Sequence, residues 1–216
     1  MITRLGMAPR AAGLSTADFV EHWRTTHSEA AGQIPGLRRY TQFHPVLVEG
    51  RLPLPYPGFD ACSLLQFDSL DSMDAGFSSA VYREKVVPDE AVLVDKSRFS
   101  LFLGDARISS VIPGGTVVLV TLLRRHPALT SEEFSTVLDG PWSAWSGGHE
   151  QYVSAGASRP GRQADVADAV DIRAFDSPQQ ALTWLTGEEQ GVANDVRMAG
   201  LGLVVGRVLA RTYEVV

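Results

Sequence analysis

The chain has 216 residues, 44% of them hydrophobic and 20% charged, with a net charge of -6. That length holds one domain or two small ones around a substantial core. The acidic balance argues against a nucleic-acid backbone or an anionic membrane as the main partner. A single cysteine, Cys62, leaves no intramolecular disulfide and fits a reducing compartment. The first residues contain no long apolar run, and no stretch of about 18 apolar residues occurs anywhere, so neither a signal peptide nor a membrane span is predicted. A cytoplasmic location is the expectation. Five histidines without cysteine pairs leave little for structural zinc, and no metal site is predicted.

In chain order, residues 2–8 predict a short strand. Ser15 is a good N-cap with Asp18 three positions on, and Phe19, Trp23 and Ala30 then share a helical stripe. Pro35-Gly36 ends that helix. Residues 37–48 predict a long strand, and the Pro-rich stretch 49–58 a loop. A strand over 59–67, one or two helices over 69–94 and a strand over 98–103 complete the first half. The segment Val111 to Gly115 is the expected linker.

The same order then recurs: strand 117–123, helix 130–145 with Thr130 and Glu133 at its start, strand 149–156, polar loop 157–166, strand 169–175, helices 177–199 and strand 203–213. Fragments recur as well. Leu14-Ser15 with Asp18-Phe19 matches Leu129-Thr130 with Glu133-Phe134, and Phe67-Asp68-Ser69 matches Phe175-Asp176-Ser177. The spacing between copies falls from 115 to 108, so small deletions alone separate them. The fold class read from this pattern is α+β. Two ferredoxin-like β-α-β-β-α-β units, residues 1–110 and 116–216, form a pseudo-dimeric α+β barrel within one chain. A cavity is expected between their sheets. A further homo-oligomer remains open.

The first half resembles the EthD family, a branch of the dimeric α+β barrel superfamily. The residues that carry the resemblance are Leu14-Ser15 through Asp18-Phe19, His22-Trp23, His27, and the run from Pro35-Gly36-Leu37-Arg38-Arg39-Tyr40 to His44. Phe67 to Asp71 and Arg98-Phe99 extend it to about residue 104. His22 stands where the family usually has an aromatic residue. The second half is similar only in outline. The resemblance implies small hydrophobic substrates, usually no cofactor, and reactions such as lactone isomerisation, polyketide cyclisation, dehydration or decarboxylation. The family constrains the scaffold far better than the reaction.

Trp23 and His27 are four residues apart and share one helix face. An imidazole beside an indole is suited to acid–base chemistry near neutral pH; the alternative is a histidine that only orients the helix end. On the second strand Tyr40, Gln42 and His44 alternate onto one face, with Arg39, Thr41 and Phe43 on the other. The polar set is expected to point into the cavity. Tyr40 and His44 would be oxyanion partners and Gln42 a substrate contact; a solvent-facing edge is the alternative for Gln42 and His44. On the third strand Cys62 would look into the cavity with Asp60 near its mouth, although a lone cysteine also serves as a small buried hydrophobe. Trp142 occupies the place of His27 in the second half, which is therefore expected to supply packing rather than titratable groups. The function read from this set is a cofactor-independent enzyme: His27, Tyr40 and His44 catalytic, and Trp23, Gln42, Asp60 and Cys62 in contact with substrate. A cofactor-free monooxygenase or a non-catalytic binding protein are the alternatives.

Overall fold

A computed structural model describes residues 1–138, 147–155, 166–187, 200 and 202–216. Eight antiparallel strands run in the order β1-β3-β2-β8-β5-β7-β6-β4 and close into one barrel. They are β1 Ile2–Ala8, β2 Leu37–Pro45, β3 Ala61–Phe67, β4 Ser100–Ser109, β5 Val117–Arg125, β6 His149–Ser154, β7 Ala169–Phe175 and β8 Gly202–Glu214. The first four strands are adjacent as β4-β1-β3-β2 and the last four as β8-β5-β7-β6, the same order in each quartet. Two joints close the ring. Pro45 to Thr41 pair with Ala210 to Glu214, and Gly104 to Ser109 pair with Ser154 to Glu150. A closed ring leaves no open sheet edge.

Strand β4 is longer than the predicted 98–103 because it has two partners. Its first part pairs with β1, from Met7↔Ser100 to Thr3↔Gly104, and its second part with β6. At the changeover sits Gly104, where a Cβ would lie 2.5 Å from both the Phe102 ring and the Val153 carbonyl. Any side chain there would push the two quartets apart.

The helices cover the outside. In the first half they are α1 Thr16–His22, a π-helical turn Trp23–His27 and α2 Ser28–Ala31. After β3 come α3 Leu70–Phe77, a second π turn Tyr82–Val86 and α4 Val87–Leu93. The second half contributes α5 Ser131–Leu138 and α6 Pro178–Thr186. The expected caps are present. Ser15 accepts from the Asp18 amide, and Thr130 and Glu133 form a reciprocal box. Ser69 and Ser177, last residues of the two matching Phe-Asp-Ser triplets, both cap helices. Each cap satisfies an N-terminal amide that the helix itself leaves bare. The predicted ends of helices 130–145 and 177–199, the loop 157–166 and Trp142 lie outside the described residues.

The interior of the barrel is a packed core, not the expected cavity. Leu5, Met7, Phe43, Cys62, Leu64 and Phe102 from the first quartet meet Val118, Val120, Tyr152, Val170, Ile172 and Val208 from the second. Each strand contributes alternate residues to this core, as the period of two requires. A polar bridge also crosses between the quartets: Arg39 of β2 lies 2.9 Å from Glu150 of β6, which accepts from the Tyr152 hydroxyl at 2.6 Å.

Candidate active site

The face of β2 is the reverse of the one expected. Phe43 lies in the barrel, directly opposite Cys62. Tyr40 packs among Ile34, Leu65, Phe67 and Val86 under the helices, and Gln42 donates to the Trp23 carbonyl. The reason is a competition between surfaces. The barrel core around Phe43 is mainly apolar, with Cys62 opposite it and Leu5, Leu64 and Phe102 in the same cluster, and takes the phenyl ring. The helix layer offers backbone carbonyls and polar partners, so it can bury amides and imidazoles without leaving them bare. β3 follows the expected alternation, with Cys62 and Leu64 inside and Ala61, Leu65 and Phe67 under the helices.

Reversal of β2 brings five of the seven sequence-derived site residues together. Trp23, His27, Tyr40, Gln42 and His44 all lie between the first-half helices and the sheet, each at most 4% exposed. The Trp23 and His27 rings stack with centroids 4.2 Å apart. Gln42 Nε2 donates to the Tyr40 oxygen at 2.8 Å, and its Oε1 accepts from His44 Nε2 at 2.9 Å. That bond places the His44 proton on Nε2. Burial, with the nearby Arg24 charge, pushes the His44 pKa down to about 4, so the ring is neutral. Burial raises the Tyr40 hydroxyl well above its usual range, against the opposing Gln42 bond, so it too keeps its proton.

One residue that sequence reasoning missed completes the arrangement. Asp89, on α4, accepts from His27 Nδ1 at 2.8 Å and from His22 Nε2 at 2.5 Å. Burial alone would raise this carboxyl; the His27 and His22 bonds outweigh it and hold the pKa below the ordinary value. The carboxylate fixes the His27 proton on Nδ1 and leaves Nε2 as the basic nitrogen. Asp89 sits 62 residues from His27, and nothing in the Pro88-Asp89-Glu90 run distinguishes it from a helix-start acid.

His27, Trp23 and Tyr40 line a small cavity with Arg4, Tyr82 and Glu90, walled by Ile34, Leu65, Phe77, Val86 and Phe99. Its volume is about 20 Å³, room for one water-sized sphere. Trp23 Nε1 is buried and has no hydrogen-bond partner. Tyr82, pushed up to about 12 by burial and by Glu90, is also a protonated donor. Trp23 and His27 are the ends of the first π turn, and Tyr82 and Val86 the ends of the second. Both π turns therefore present their terminal side chains to one space, a placement common at functional sites.

Cys62 and Asp60 do not join this group. Cys62 is 1% exposed in the barrel core, and burial pushes its thiol up to about 12, which keeps it protonated and unreactive. Asp60 lies outside, in an open cleft beyond the end of β3. The second half is more polar than expected. His149 lies 2.7 Å from Asp171, which also accepts from Arg173 at 2.8 Å, all three buried. The His149 and Arg173 bonds hold the Asp171 carboxyl below its usual range although burial opposes this. Among the described residues, no group of three or more His, Cys, Asp or Glu is placed to hold a metal ion, and no helix is long and apolar enough to cross a membrane.

Comparison with known proteins bears on the fold and on the first half. No curated protein matches the chain. An anthrone oxidase-like protein superposes with a TM-score of 0.67 at 13% identity, over 99% of this chain and 93% of its own. A candidate monooxygenase from Fusobacterium nucleatum gives 0.60 at 7% identity, over 100% and 92%. Another, from Lactobacillus acidophilus, gives 0.59 at 10% identity, over 100% and 94%. At such identities the likeness is one of fold. The family model that matches is the EthD domain, over residues 11–97, a stretch that contains Trp23, His27, Tyr40, Gln42, His44 and Asp89.

Proposed function

We propose that the chain is a cofactor-independent enzyme that moves protons on a small, largely apolar organic molecule, by cyclisation, isomerisation, dehydration or decarboxylation. The observation that carries the proposal is His27: a buried imidazole at a small cavity, its Nδ1 held by Asp89 and its Nε2 left as the proton acceptor. His27 takes the proton. The Tyr40 hydroxyl and Trp23 Nε1–H donate to the oxygen on which charge develops. Gln42 and His44 position Tyr40 from behind, so His44 is a positioning residue here rather than an oxyanion partner. The cavity takes substrate only when a wall moves, and the π turns that carry Trp23, His27 and Tyr82 are where the helices yield. Cys62 has no part in the chemistry.

The matching order of the two quartets supports a tandem duplication, with units 1–110 and 116–216 in place of the two subunits of a homodimer. A cytoplasmic enzyme free to pair further fits the acidic, single-cysteine composition. A second reading, a cofactor-free monooxygenase, draws on the names of the structural neighbours. Oxygen uptake during turnover separates the two. With substrate in hand, His27→Ala should cost about 100- to 10,000-fold in turnover while the protein still folds. Unchanged turnover removes His27 from the mechanism.

A further inference from the structure

A second space, far larger than the His27 cavity, opens beside the N-terminal half of α1. It holds about 900 Å³, within the range of small-molecule sites, and shares no lining residue with the inner cavity. Its walls include Val20, Leu47, Leu52 and Phe59, of which Leu47 is 49% and Leu52 37% exposed. Large apolar side chains gathered on a concave surface gain by being covered.

The polar groups of this cleft are unequally committed. Asp60 accepts from the Arg10 amide at 2.9 Å, from Arg10 Nε at 3.2 Å and from the Tyr56 hydroxyl at 2.8 Å. Asp95 accepts from the Ser97 amide at 3.1 Å, the Ser97 hydroxyl at 2.6 Å and Arg98 Nε at 2.7 Å. Both carboxylates are thus supplied with donors from the protein itself. Arg98 is different. It engages Asp95 through Nε alone, its side chain is 54% exposed, and its two terminal nitrogens remain for a ligand. What the cleft lacks is an acceptor, not a donor.

We infer that this outer cleft is a binding site for a small apolar molecule bearing one carboxylate, whose acid group pairs with Arg98 and whose hydrocarbon body covers Leu47, Leu52 and Phe59. A guanidinium fork matches a carboxylate in shape and charge. A cationic ligand would meet two carboxylates that each already accept three hydrogen bonds, with one acceptor position left on each. The site stands apart from the His27 chemistry and does not depend on it.

Calorimetric titration of the full chain with 2-naphthoate, and with 2-naphthamide as its neutral counterpart, tests this. The acid should bind saturably, and about tenfold or more tighter than the amide. Arg98→Gln should weaken the acid by about tenfold or more; Arg38→Gln, the same charge change at a surface arginine paired with Asp68 outside the cleft, should alter it less than about twofold. His27→Gln should leave it unchanged. No saturation by about 5 mM, equal binding of acid and amide, or equal effects of the two arginine variants would overturn the proposal. Loss of binding in His27→Gln with none in Arg98→Gln would place the acid in the inner cavity, and would leave the proton-transfer reading standing.

Discussion

Asp89→Asn replaces a carboxylate that two imidazoles share by an amide of the same shape. The His27 bond is buried, with side-chain exposures of 4% and 11%, and a hydrogen bond to a charged group contributes about 1.5–3 kcal/mol. The His22 side chain is 36% exposed, so its bond is screened and adds roughly 0–1 kcal/mol. The sum is about 1.5–4 kcal/mol. For a chain of this length each kcal/mol moves the midpoint by about 2–4 °C, so thermal unfolding at pH 7 should fall by roughly 3–16 °C. The sign of the pH effect follows from the depressed carboxyl. A folded pKa below the unfolded value stabilises above about pH 4, and that stabilisation is lost as pH falls through the folded value. The variant should therefore show a shallower acid limb as well as a lower midpoint. Scanning calorimetry across pH measures both. A midpoint within about a degree of the parent, with the acid limb unchanged, would refute the shared-carboxylate geometry.

His44 should impose a second pH dependence. Its folded pKa of about 4 lies below the ordinary 6.5, so stability should fall as pH drops from about 6.5 to about 4, and His44→Gln should flatten that slope in denaturant titrations. Phe43→Ala, which empties a barrel-core position, should cost about 3–5 kcal/mol in urea unfolding; a loss under about 1 kcal/mol would return Phe43 to a peripheral site. Cutting the chain near Ile112 should leave halves that expose Phe43 and Cys62 on one side and Val120 and Ile172 on the other. Sedimentation should find them self-associated or insoluble, and a well-folded monomeric half would contradict the fused barrel.

The element order and the Ser15 and Thr130 N-termini were legible in the sequence because they depend on local chemistry; the Phe-Asp-Ser triplets were legible as a repeat, and their Ser69 and Ser177 caps only in the structure. The direction of β2 was not. Alternation alone separates Tyr40, Gln42 and His44 from Phe43, but which set faces the barrel depends on the opposing core, assembled from strands over a hundred residues away. The usual expectation that polar residues line the cavity and apolar ones meet helices reversed here, because the barrel around Phe43 is mainly apolar while the helix layer offers Gln42 and His44 polar partners. Asp89 was hidden for a similar reason: its partners lie on another helix, and nothing in its local run marks a buried acid. The second-half cluster of His149, Asp171 and Arg173 likewise spans two strands, so no local motif announces it. His27, Trp23 and Tyr40 were visible because they cluster in the segment that resembles the family.

The proton-transfer role proposed for His27 is most directly tested without knowledge of the natural substrate. Small apolar carbon acids such as 2-tetralone, incubated with the protein in deuterium oxide, report proton abstraction as loss of the acidic C–H signal in NMR. The parent protein should accelerate exchange above buffer, His27→Gln should lower that acceleration by about 100-fold or more, and Asp89→Asn should fall between them. Exchange at the same rate with the parent and with His27→Gln would contradict the assignment of His27 as the base.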